Sequence, residues 1–585
     1  MNIPLSEYPR PQLARDSYLC LNGQWDLRFL SDEKPKNPTG NSVVGKTAEP
    51  IKILVPYSPE SEFSGVGRTL VPQETMLYSR HVEFPDVDFS KERLLLHFGA
   101  VDYRAIVFID KEKVFEHIGG YLPFTIEVFK SSFDLDVSVQ DPGDSKEISR
   151  GKQSSNPGGI WYPQTSGIWQ TVWMEKVPKN YIQSIKLDPD LEGFYIEIQT
   201  NGASEGIGAP ESIFGNSKVS NIVNLSTATM VIQGKQITLQ VNTRQRIDIE
   251  NAHFWSPEDP FLYNFDITYG QDIVHSYVGL RTFGVGPDKN GVPRLLLNGK
   301  PYFHHGLLDQ GYFKGGYYTP KSDADFVNDI LRMKKMGFNT LRKHIKIEPL
   351  RWYYHCDCLG MLVWQDMVSG GGAYRFWTIS APLVLGSFLD DTKYDKFART
   401  DKHERDVWEI QAIDTIHHLY NCTSIAMWVP FNEGWGQFDS KRIVSNILKI
   451  DTSRTIDHAS GWHDQGISDV RSLHVYFHAY HFKPDKLGRA VVLSEFGGYG
   501  MNIDLEGKKA FTYRNFRSKE DLTKAIVKLY NKQIIPAKAK GLAASIYTQV
   551  SDVEQEVNGL LSYDRAVVKV DEAQIARMSE ALLAD

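Results

Sequence analysis

After about residue 288, short apolar segments alternate with segments of helical period, and this alternation limits the possible folds more than any other feature of the chain. Residues 323–336 are predicted to form a helix, because apolar side chains recur on one face and Gly337 follows as a stop signal. Further helices are predicted at 350–359, 407–420 and 440–450 and after the N-cap Ser518, and strands at 338–342, 361–364, 425–429, 491–494 and 543–547. Strands and helices that alternate over about 300 residues predict a parallel sheet closed into a (β/α)8 TIM barrel, here residues 288–585.

The chain before residue 288 is predicted to be all β. Runs rich in branched and aromatic residues, such as 94–98 and 105–109, are separated by turn-forming clusters and recur about every ten residues. Residues 1–178 are predicted to form a jelly-roll sandwich. Residues 179–287 are predicted to form an immunoglobulin-like sandwich with a Gly/Ser-rich loop at 201–206. Several domains are expected, because one hydrophobic core serves at most about 250–300 residues.

Composition argues against several classes of function. The net charge of −7 opposes binding to nucleic acid or to anionic membranes, since both select for clustered Lys and Arg. No run of 18 or more apolar residues occurs, and the first residues lack the apolar core of a secretory signal, so a cytoplasmic protein is expected. The cysteines match neither a disulfide scaffold nor a zinc pattern; they are Cys20, Cys356, Cys358 and Cys422.

Two predicted barrel strands each lead directly into a lone glutamate. Glu433 comes after the strand at 425–429, and Glu495 follows the strand at 491–494. The active site of such a barrel lies at the C-terminal ends of its strands, where a buried carboxylate is unfavourable unless it is paired or used. A structural salt bridge explains one such glutamate about as well as catalysis does. Two of them favour glycosidic bond cleavage, in which one carboxyl protonates the leaving oxygen and the other attacks or activates water.

Several longer motifs carry a family resemblance along the chain. They are Tyr-Pro-Arg-Pro at 8–11, Leu-Asn-Gly-Gln-Trp at 21–25, the segments 96–103, 119–124 and 166–173, Trp-Ser-Pro-Glu at 255–258, Val-Gly-Leu-Arg at 278–281, Leu-Asn-Gly-Lys-Pro at 297–301, Asn-Glu at 432–433 and Ser-Glu-Phe-Gly at 494–497. On these motifs the chain resembles glycoside hydrolase family 2, which contains β-galactosidases and β-glucuronidases. The resemblance covers essentially the whole chain and implies that the N-terminal jelly-roll domain is a sugar-binding-like domain.

The resemblance implies that Glu433 is the general acid/base, that Glu495 is the nucleophile and that Asn432 binds the sugar 2-hydroxyl. Because the family is retaining, the two carboxyl groups are expected about 5–5.5 Å apart. Burial against Trp428 and Trp435, together with the charge of Glu495, is expected to raise the pKa of Glu433.

Less specific candidates surround this pair. Arg342 and His344 match family positions at the base of the sugar pocket, and Arg342 is expected to keep Glu495 ionised; an ordinary ion pair in the barrel floor is the alternative. His474 and Tyr476 resemble the sixth-strand motif whose Tyr orients the nucleophile, although either could be a satisfied core residue. The remaining candidates for substrate contacts or pocket walls, several of which could equally be packing residues, are Asp309, Asp366, Trp364, Trp435, Trp462 and Trp377.

Departures from the family pattern limit the substrate. Segment 363–372 lacks the Glu and His that bind magnesium in the large β-galactosidases, so neither a metal nor another cofactor is expected. The acidic segment 548–556 lacks the Asn-x-Lys motif with which β-glucuronidases hold a uronate. A uronide stays open, because the basic residues Arg342, Lys343, His344 and Arg375 cluster near the site in sequence and Arg is well suited to hold a carboxylate. Tyr547 replaces the family's last-strand Trp, which indicates a different subsite floor.

The predicted function is a retaining exo-β-glycosidase for terminal β-linked sugars, with β-galactosides as the leading substrates. A β-uronide or a β-galactofuranoside-type sugar is the alternative with the same mechanism, and a non-catalytic carbohydrate-binding protein is the alternative of another class. Small β-glycosides or oligosaccharides are the expected partners. The resemblance implies a homodimer or homotetramer, and loops of the sandwich domains are expected near the pocket mouth.

Overall fold

The structure is a computed structural model that describes residues 3–31, 49–201, 225–382, 388–502 and 509–584. Apart from Asn201, the loop predicted at 201–206 lies outside these residues. Within the described part of the chain, no helix is both long and apolar enough to cross a membrane. The chain forms two β sandwiches followed by a parallel barrel.

Two antiparallel sheets form the first sandwich. One contains, in spatial order, Tyr18–Cys20, Val172–Pro178, Glu92–Phe98 and Phe124–Val128. The other contains Ile51–Val55, Gly23–Ser31, Glu74–Glu83, Ser132–Gln140, Arg104–Ile109 and Glu112–Ile118. Alternate residues such as Leu135, Val137 and Val139 are buried in the core, as the two-residue period of a strand requires. Smaller elements in this region are the strand pair Val101–Asp102 and Gly167–Ile168 and the 3-10 helices Pro11–Leu13, Glu62–Ser64 and Gly143–Ser145.

The second sandwich also has two antiparallel sheets. They contain, in spatial order, Ile182–Pro189, Gly193–Thr200 and Gln245–Asp248 in one sheet and Lys235–Gln240, Thr227–Ile232, Tyr263–Tyr269 and Asp272–Val278 in the other. Ile196 and Ile267 belong to their shared core. A small sheet follows, formed by Phe283–Pro287, Pro293–Leu297 and Lys300–Pro301. Leu295 of this sheet packs against residues of the barrel interior, which joins the sheet to the barrel.

Eight parallel strands form a nearly closed barrel. Numbered along the chain as barrel strands 1 to 8, they are His304–Asp309, Thr340–Lys343, Leu362–Asp366, Ile425–Val429, Thr455–Ile456, Val470–Val475, Ala490–Gly497 and Leu542–Thr548. Strand 8 pairs with strand 1, which brings the two ends of the barrel sequence together. Among the described residues, the ladder is open only between strands 5 and 6. A short parallel pair, Tyr499–Met501 and Arg514–Phe516, follows strand 7.

Helices connect and cover the barrel strands. They are Asp323–Lys335, Leu350–Leu359, Phe376–Ile379, Lys402–Leu419, Ser440–Leu448, Lys519–Leu529, Ile535–Lys540 and Glu572–Leu583, with a π-helical turn at Tyr530–Ile534. The Ser518 hydroxyl accepts a hydrogen bond from the Asp521 N–H at 3.1 Å, as expected of an N-cap. Gly337 has a φ of 87°, the left-handed conformation that follows many helix ends.

Most predicted elements are present. The helix at 350–359 and the strand at 425–429 have the predicted bounds. The helix predicted at 407–420 begins earlier, at Lys402, because the Asp401 side chain caps it by accepting from the His403 N–H at 2.8 Å. The predicted multidomain class with a C-terminal (β/α)8 barrel is confirmed. The domain boundaries at residues 178 and 287 stay predictions.

A loop of the first sandwich reaches the C-terminal face of the barrel. The N–H groups of Arg150 and Gly151 donate to the carbonyl of Ser369, beyond barrel strand 3, at 3.0 and 2.9 Å. The Gly159 N–H donates to the side chain of Gln555, beyond barrel strand 8, at 3.3 Å. The loop is therefore held at two points on the rim where the strand ends lie.

Candidate active site

The fold brings the two predicted glutamates together. Glu433 follows barrel strand 4, and Glu495 lies within strand 7. One carboxylate oxygen of each lies within 4.8 Å of the other and of a nitrogen of His474. Glu433 has a φ of 51°, which is uncommon for a residue other than glycine. Its backbone is held by hydrogen bonds to the Ser460 carbonyl and from the Trp462 indole, each 2.9 Å long.

Arg342 organises the base of the site. Its guanidinium is fully buried and donates to Oε1 of Glu495 at 3.1 Å and to Oδ1 of Asn432 at 2.8 Å. It also binds both oxygens of Asp366, at 2.9 and 3.0 Å, and His344 Nδ1 lies 2.9 Å from the same carboxylate. A bidentate ion pair with Asp366 therefore fixes the guanidinium that contacts Glu495.

His474 and Tyr476, at the end of barrel strand 6, contact the carboxylate pair directly. His474 Nδ1 lies 2.8 Å from Oε1 of Glu433 and 3.6 Å from Oε2 of Glu495. The Tyr476 hydroxyl donates to Oε2 of Glu495 at 2.5 Å and lies 2.9 Å from the Thr548 hydroxyl. The two oxygens of Glu495 are thus held by different partners, Arg342 on one side and Tyr476 on the other.

The pKa values of the two glutamates move in opposite directions. Burial raises the pKa of Glu433, and the negative charge of Glu495 adds to this effect, although the hydrogen bond with His474 opposes it. Burial acts on Glu495 in the same sense, but His474, Arg342 and the Tyr476 hydroxyl outweigh it and lower the pKa of Glu495. The site therefore favours one protonated and one ionised carboxyl group.

Aromatic side chains line this space. The Trp435 ring lies 5.1 Å from that of Trp161, which belongs to the loop of the first sandwich. The Trp462 ring lies 5.4 Å from the His474 ring. Tyr513 stacks on Tyr476 with ring centroids 3.8 Å apart. Flat apolar rings beside carboxylates form a site of the kind that binds the apolar face of a sugar.

Two predicted pocket contacts belong to the protein interior. Trp364 is fully buried in the apolar cluster inside the barrel, and its indole donates to His304 at the start of strand 1 at 2.9 Å. Asp366 is also fully buried, and both of its oxygens are used by Arg342 and His344. In place of the predicted sugar contacts, the structure shows Trp364 packed in the barrel core and Asp366 positioning Arg342.

Three further predictions need correction. Asp309 is bound by the Lys343 ammonium at 2.8 Å and by the Gly311 N–H at 2.9 Å, so it stabilises an ion pair and is not a free sugar contact. Trp428 does not cover Glu433, since it packs on the outer side of strand 4 and donates to Asp451 at 2.8 Å. The residue expected in the subsite floor, Tyr547, likewise lies in the outer core.

The predicted cluster of cations does not form. Lys343 turns away from Arg342 and binds Asp309 and Glu348, each at 2.8 Å. Arg375 is half exposed, and its nearest acidic partner is Asp395 at 3.6 Å. Trp377 is 69% exposed.

Several residues of the site have little signal in the local sequence. Lys152 reaches the barrel face from the loop of the first sandwich, and the Ser460 hydroxyl lies 3.0 Å from Nε2 of His474. A cation in a Gly- and Ser-rich segment that ends in Trp161 is the one feature of the sequence that points toward Lys152.

The three side chains Glu433, His474 and Glu495 also lie close enough to one another to bind a metal ion. The Arg342 guanidinium already lies 3.1 Å from Glu495, and its positive charge opposes a second cation there. The donor set is therefore used by hydrogen bonds and ion pairs within the protein.

Family models match most of the C-terminal part of the chain. The TIM barrel domain of glycosyl hydrolases family 2 matches residues 293–563, and a second model of the same family matches residues 180–281. The parallel barrel and its match to this family model place the protein in the class of glycoside hydrolases. The chain belongs to glycoside hydrolase family 2.

Curated relatives carry two activities in their names. A putative β-glucuronidase of Formosa agariphila is 25% identical over 312 residues, which cover 50% of this chain and 35% of the relative. A β-galactosidase of Thermoanaerobacter pseudethanolicus is 24% identical over 311 residues, 50% of this chain and 39% of the relative. The human β-glucuronidase is 22% identical over 455 residues, which cover 69% of this chain and 63% of the relative. The chain thus spans between about a third and two thirds of the length of these relatives.

Solved structures of similar fold cover nearly the whole chain. A family 2 β-galacturonidase from Eisenbergiella tayi, solved with galacturonate, has a TM-score of 0.68 and 17% identity over 99% of both chains. A β-D-glucuronidase of Dictyoglomus thermophilum has a TM-score of 0.72 and 16% identity over 98% of both. These likenesses establish the three-part fold.

Proposed function

We propose that this chain is a retaining exo-β-glycosidase that hydrolyses terminal β-linked sugars by double displacement. One observation carries the proposal: Glu433 and Glu495 present oxygens within 4.8 Å of each other, and their pKa values are shifted in opposite directions. A separation near 5 Å is typical of retaining enzymes, whereas inverting enzymes leave about 6.5–9.5 Å between the carboxyl groups for a water molecule.

In the first step, Glu495 acts as nucleophile and Glu433 as acid. A carboxylate oxygen of Glu495 forms a bond to the anomeric carbon while the bond from that carbon to the leaving oxygen breaks. Glu433 transfers its proton to this oxygen, and the aglycone departs as an alcohol. The raised pKa of Glu433 and the lowered pKa of Glu495 favour the protonation states that this step needs.

In the second step, water releases the sugar. Once Glu495 is an ester its charge is gone, and one of the influences that raise the pKa of Glu433 disappears. Glu433 then takes a proton from water, whose oxygen bonds to the anomeric carbon as the ester bond breaks. Glu495 is regenerated as a carboxylate, and the sugar leaves with its original anomeric configuration.

The unsatisfied side-chain amide of Asn432 supports this proposal. Its Oδ1 accepts from Arg342 at 2.8 Å, which fixes the amide orientation. Its Nδ2 is buried and has no hydrogen-bond partner among the described residues. A buried donor without an acceptor is unfavourable, so we assign this N–H to a hydroxyl of the bound sugar.

β-Galactosides are the leading substrates, and β-uronides are the alternative with the same mechanism. The names of the relatives support both. We also propose, from the sequence and the family resemblance, that the protein forms a homodimer or homotetramer and is located in the cytoplasm.

A fluorosugar trap tests the proposal. A dinitrophenyl 2-deoxy-2-fluoro-β-galactoside is expected to add one fluorosugar mass to the peptide that contains Glu495. Glu495→Gln should form no adduct and lose hydrolysis, whereas Glu409→Gln on the helix Lys402–Leu419 serves as the matched control. An adduct on another residue, or undiminished hydrolysis by Glu495→Gln, would overturn the catalytic assignment. Sugar binding without turnover would favour the carbohydrate-binding alternative.

A further inference from the structure

An ion pair between two domains lies beside the proposed catalytic centre. The Nζ atom of Lys152, from the loop of the first sandwich, lies 3.7 Å from Oε2 of Glu556, which follows barrel strand 8. Both residues are more than nine-tenths buried. Glu556 is held by the Tyr162 hydroxyl on Oε2 and by Nδ2 of Asn558 on Oε1, the latter at 3.1 Å. The position of this carboxylate is therefore well defined.

The ion pair faces the same space as the catalytic glutamates. Lys152 Nζ lies 5.9 Å from the ring centre of Trp435, which is two residues beyond Glu433. Burial lowers the pKa of His344, and the positive charge of Lys152 lowers it further. Tyr513 has a raised pKa because it is buried and because the charges of Glu433, Glu556 and Glu495 all act on it. Lys152 and Glu556 therefore lie close enough to the two glutamates for their charges to act on the same neighbouring side chains.

Lys152 has hydrogen-bonding capacity left for a ligand. Its contact with Glu556 is longer than a hydrogen bond, and among the described residues no acceptor lies within hydrogen-bond distance of its ammonium group. The ring centres of Tyr162 and Trp435, at 5.2 and 5.9 Å, provide only cation–π contacts. The Lys152 side chain keeps 6% exposure, so its ammonium group has N–H donors that a sugar oxygen in the pocket can accept.

The charge of Glu556 determines whether the sugar oxygen that accepts from Lys152 belongs to a carboxylate or to a hydroxyl group. An unpaired ammonium would attract the carboxylate of a uronic acid, but the charge of Lys152 is already balanced by Glu556. A uronate at this position would place one more negative charge beside Glu556 and near Glu495, and juxtaposed like charges are a strong barrier to binding. A hydroxyl group accepts from Lys152 without adding any charge.

We infer that Lys152 donates a hydrogen bond to a hydroxyl of the sugar whose bond is cleaved, and that Glu556, by balancing its charge, makes the site selective for neutral hexosides over uronides. The inference rests on the proposed function and deepens it, because it names the substrate class. It also assigns sugar choice to a contact between the first sandwich and the barrel.

Removal of the negative charge alone tests the inference. Glu556→Gln keeps an oxygen for the Tyr162 hydroxyl but leaves the Lys152 charge unbalanced. The wild type should hydrolyse nitrophenyl β-galactoside or β-glucoside with a higher kcat/KM than the corresponding galacturonide or glucuronide. In Glu556→Gln, the uronide-to-hexoside ratio of kcat/KM should rise at least about tenfold, and Lys152→Met in the same background should reverse the gain.

A neighbouring glutamate provides the matched control. The charge of Glu554 acts on Tyr312, Tyr317 and Tyr563. Glu554→Gln should leave the uronide-to-hexoside ratio within about twofold of the wild type. A wild type that prefers uronides, or a ratio that moves equally in Glu556→Gln and Glu554→Gln, would overturn the inference while the glycosidase assignment stands.

Binding measurements separate the inference from the proposed function. Calorimetric titration with free galactose and free galacturonate needs no turnover. The wild type is expected to bind galactose more tightly, and Glu556→Gln is expected to shift the preference toward galacturonate. If every glycoside resists hydrolysis yet the binding preference shifts in this way, the proposed function fails and the inference holds. If binding shows no shift, the inference fails whether or not hydrolysis occurs.

Discussion

The Nδ1 atom of His474 lies 2.8 Å from Oε1 of Glu433, within hydrogen-bond distance. Nε2 on the other side of the same ring lies 3.0 Å from the Ser460 hydroxyl, so the imidazole is held at both ends. Burial raises the pKa of Glu433, and the hydrogen bond to His474 lowers it. The proton that Glu433 donates in the proposed mechanism is thus influenced by a neighbour that takes no direct part in the reaction.

Replacement of His474 should therefore move the pH profile. In His474→Ala the pKa of Glu433 should rise, because the hydrogen bond that lowers it is lost. Glu433 would stay protonated at higher pH, so the basic limb of kcat/KM should shift to higher pH. His417→Ala, on the helix Lys402–Leu419, is the control. An unmoved basic limb in His474→Ala would count against this coupling.

The wild type should have a bell-shaped pH dependence of kcat/KM. Glu495 must be ionised, and its lowered pKa places the acidic limb below the usual glutamate value of about 4.3. Glu433 must be protonated, and its raised pKa places the basic limb above that value. Steady-state rates from pH 3 to pH 9 measure both limbs, at roughly half-unit steps. Glu433→Gln should lose the basic limb, and its persistence would contradict the assignment of that limb to Glu433.

Loss of the Arg342 charge should reduce both stability and activity. Arg342→Met leaves the buried carboxylates of Asp366 and Glu495 without their cation, which is expected to lower the free energy of unfolding by about 3–5 kcal/mol. Denaturant unfolding measures this change. Arg342→Lys retains the charge without the bidentate geometry and should be less destabilised, although its kcat should still fall. Equal stability of the Met and Lys variants would contradict a role for the charge.

The Tyr476 hydroxyl should contribute to rate more than to stability. Tyr476→Phe removes the donor that lies 2.5 Å from Oε2 of Glu495, and a hydrogen bond to a charged group contributes about 1.5–3 kcal/mol. We expect kcat to fall by roughly 10- to 100-fold, with a higher pKa on the acidic limb because Glu495 loses an interaction that favours its ionised form. Tyr480→Phe, also in the barrel, is the matched control, and an equal loss in both variants would contradict the assigned contact.

Chelation should leave activity unchanged. Glu433, His474 and Glu495 are close enough to bind a metal, but Arg342 already supplies positive charge at Glu495. Rates measured after dialysis against EDTA, and again after addition of magnesium or zinc, should agree within error. A loss that magnesium restores would show that the site needs a metal.

Periodicity and strand-end position made much of this structure predictable. The strand at Ile425–Val429 and the helix at Leu350–Leu359 could be bounded because each has a clear apolar pattern and clear stop signals. The proximity of Glu433 and Glu495 followed from the rule that strand ends share one face of a barrel.

Whether an individual side chain points into or out of the barrel was harder to predict. Trp428 lies between Met427 and Val429, which face the barrel interior, so the two-residue period of the strand turns it outward. Trp364 points inward, but it packs in the apolar cluster inside the barrel and donates to His304 at the start of strand 1. Lys152 is far from the barrel in sequence, and the docking of its loop on Ser369 and Gln555 brings it to the site.

The docked loop of the first sandwich also has a consequence for how substrate preference can evolve. The residues that we propose break the glycosidic bond belong to the barrel, while Lys152 and Trp161 belong to the first sandwich. Mutations in the sandwich loop can therefore alter sugar preference without touching the reacting groups. On the inference drawn for Lys152, sugar choice depends on both the sandwich loop and the barrel, so the whole chain is the unit on which selection for substrate acts.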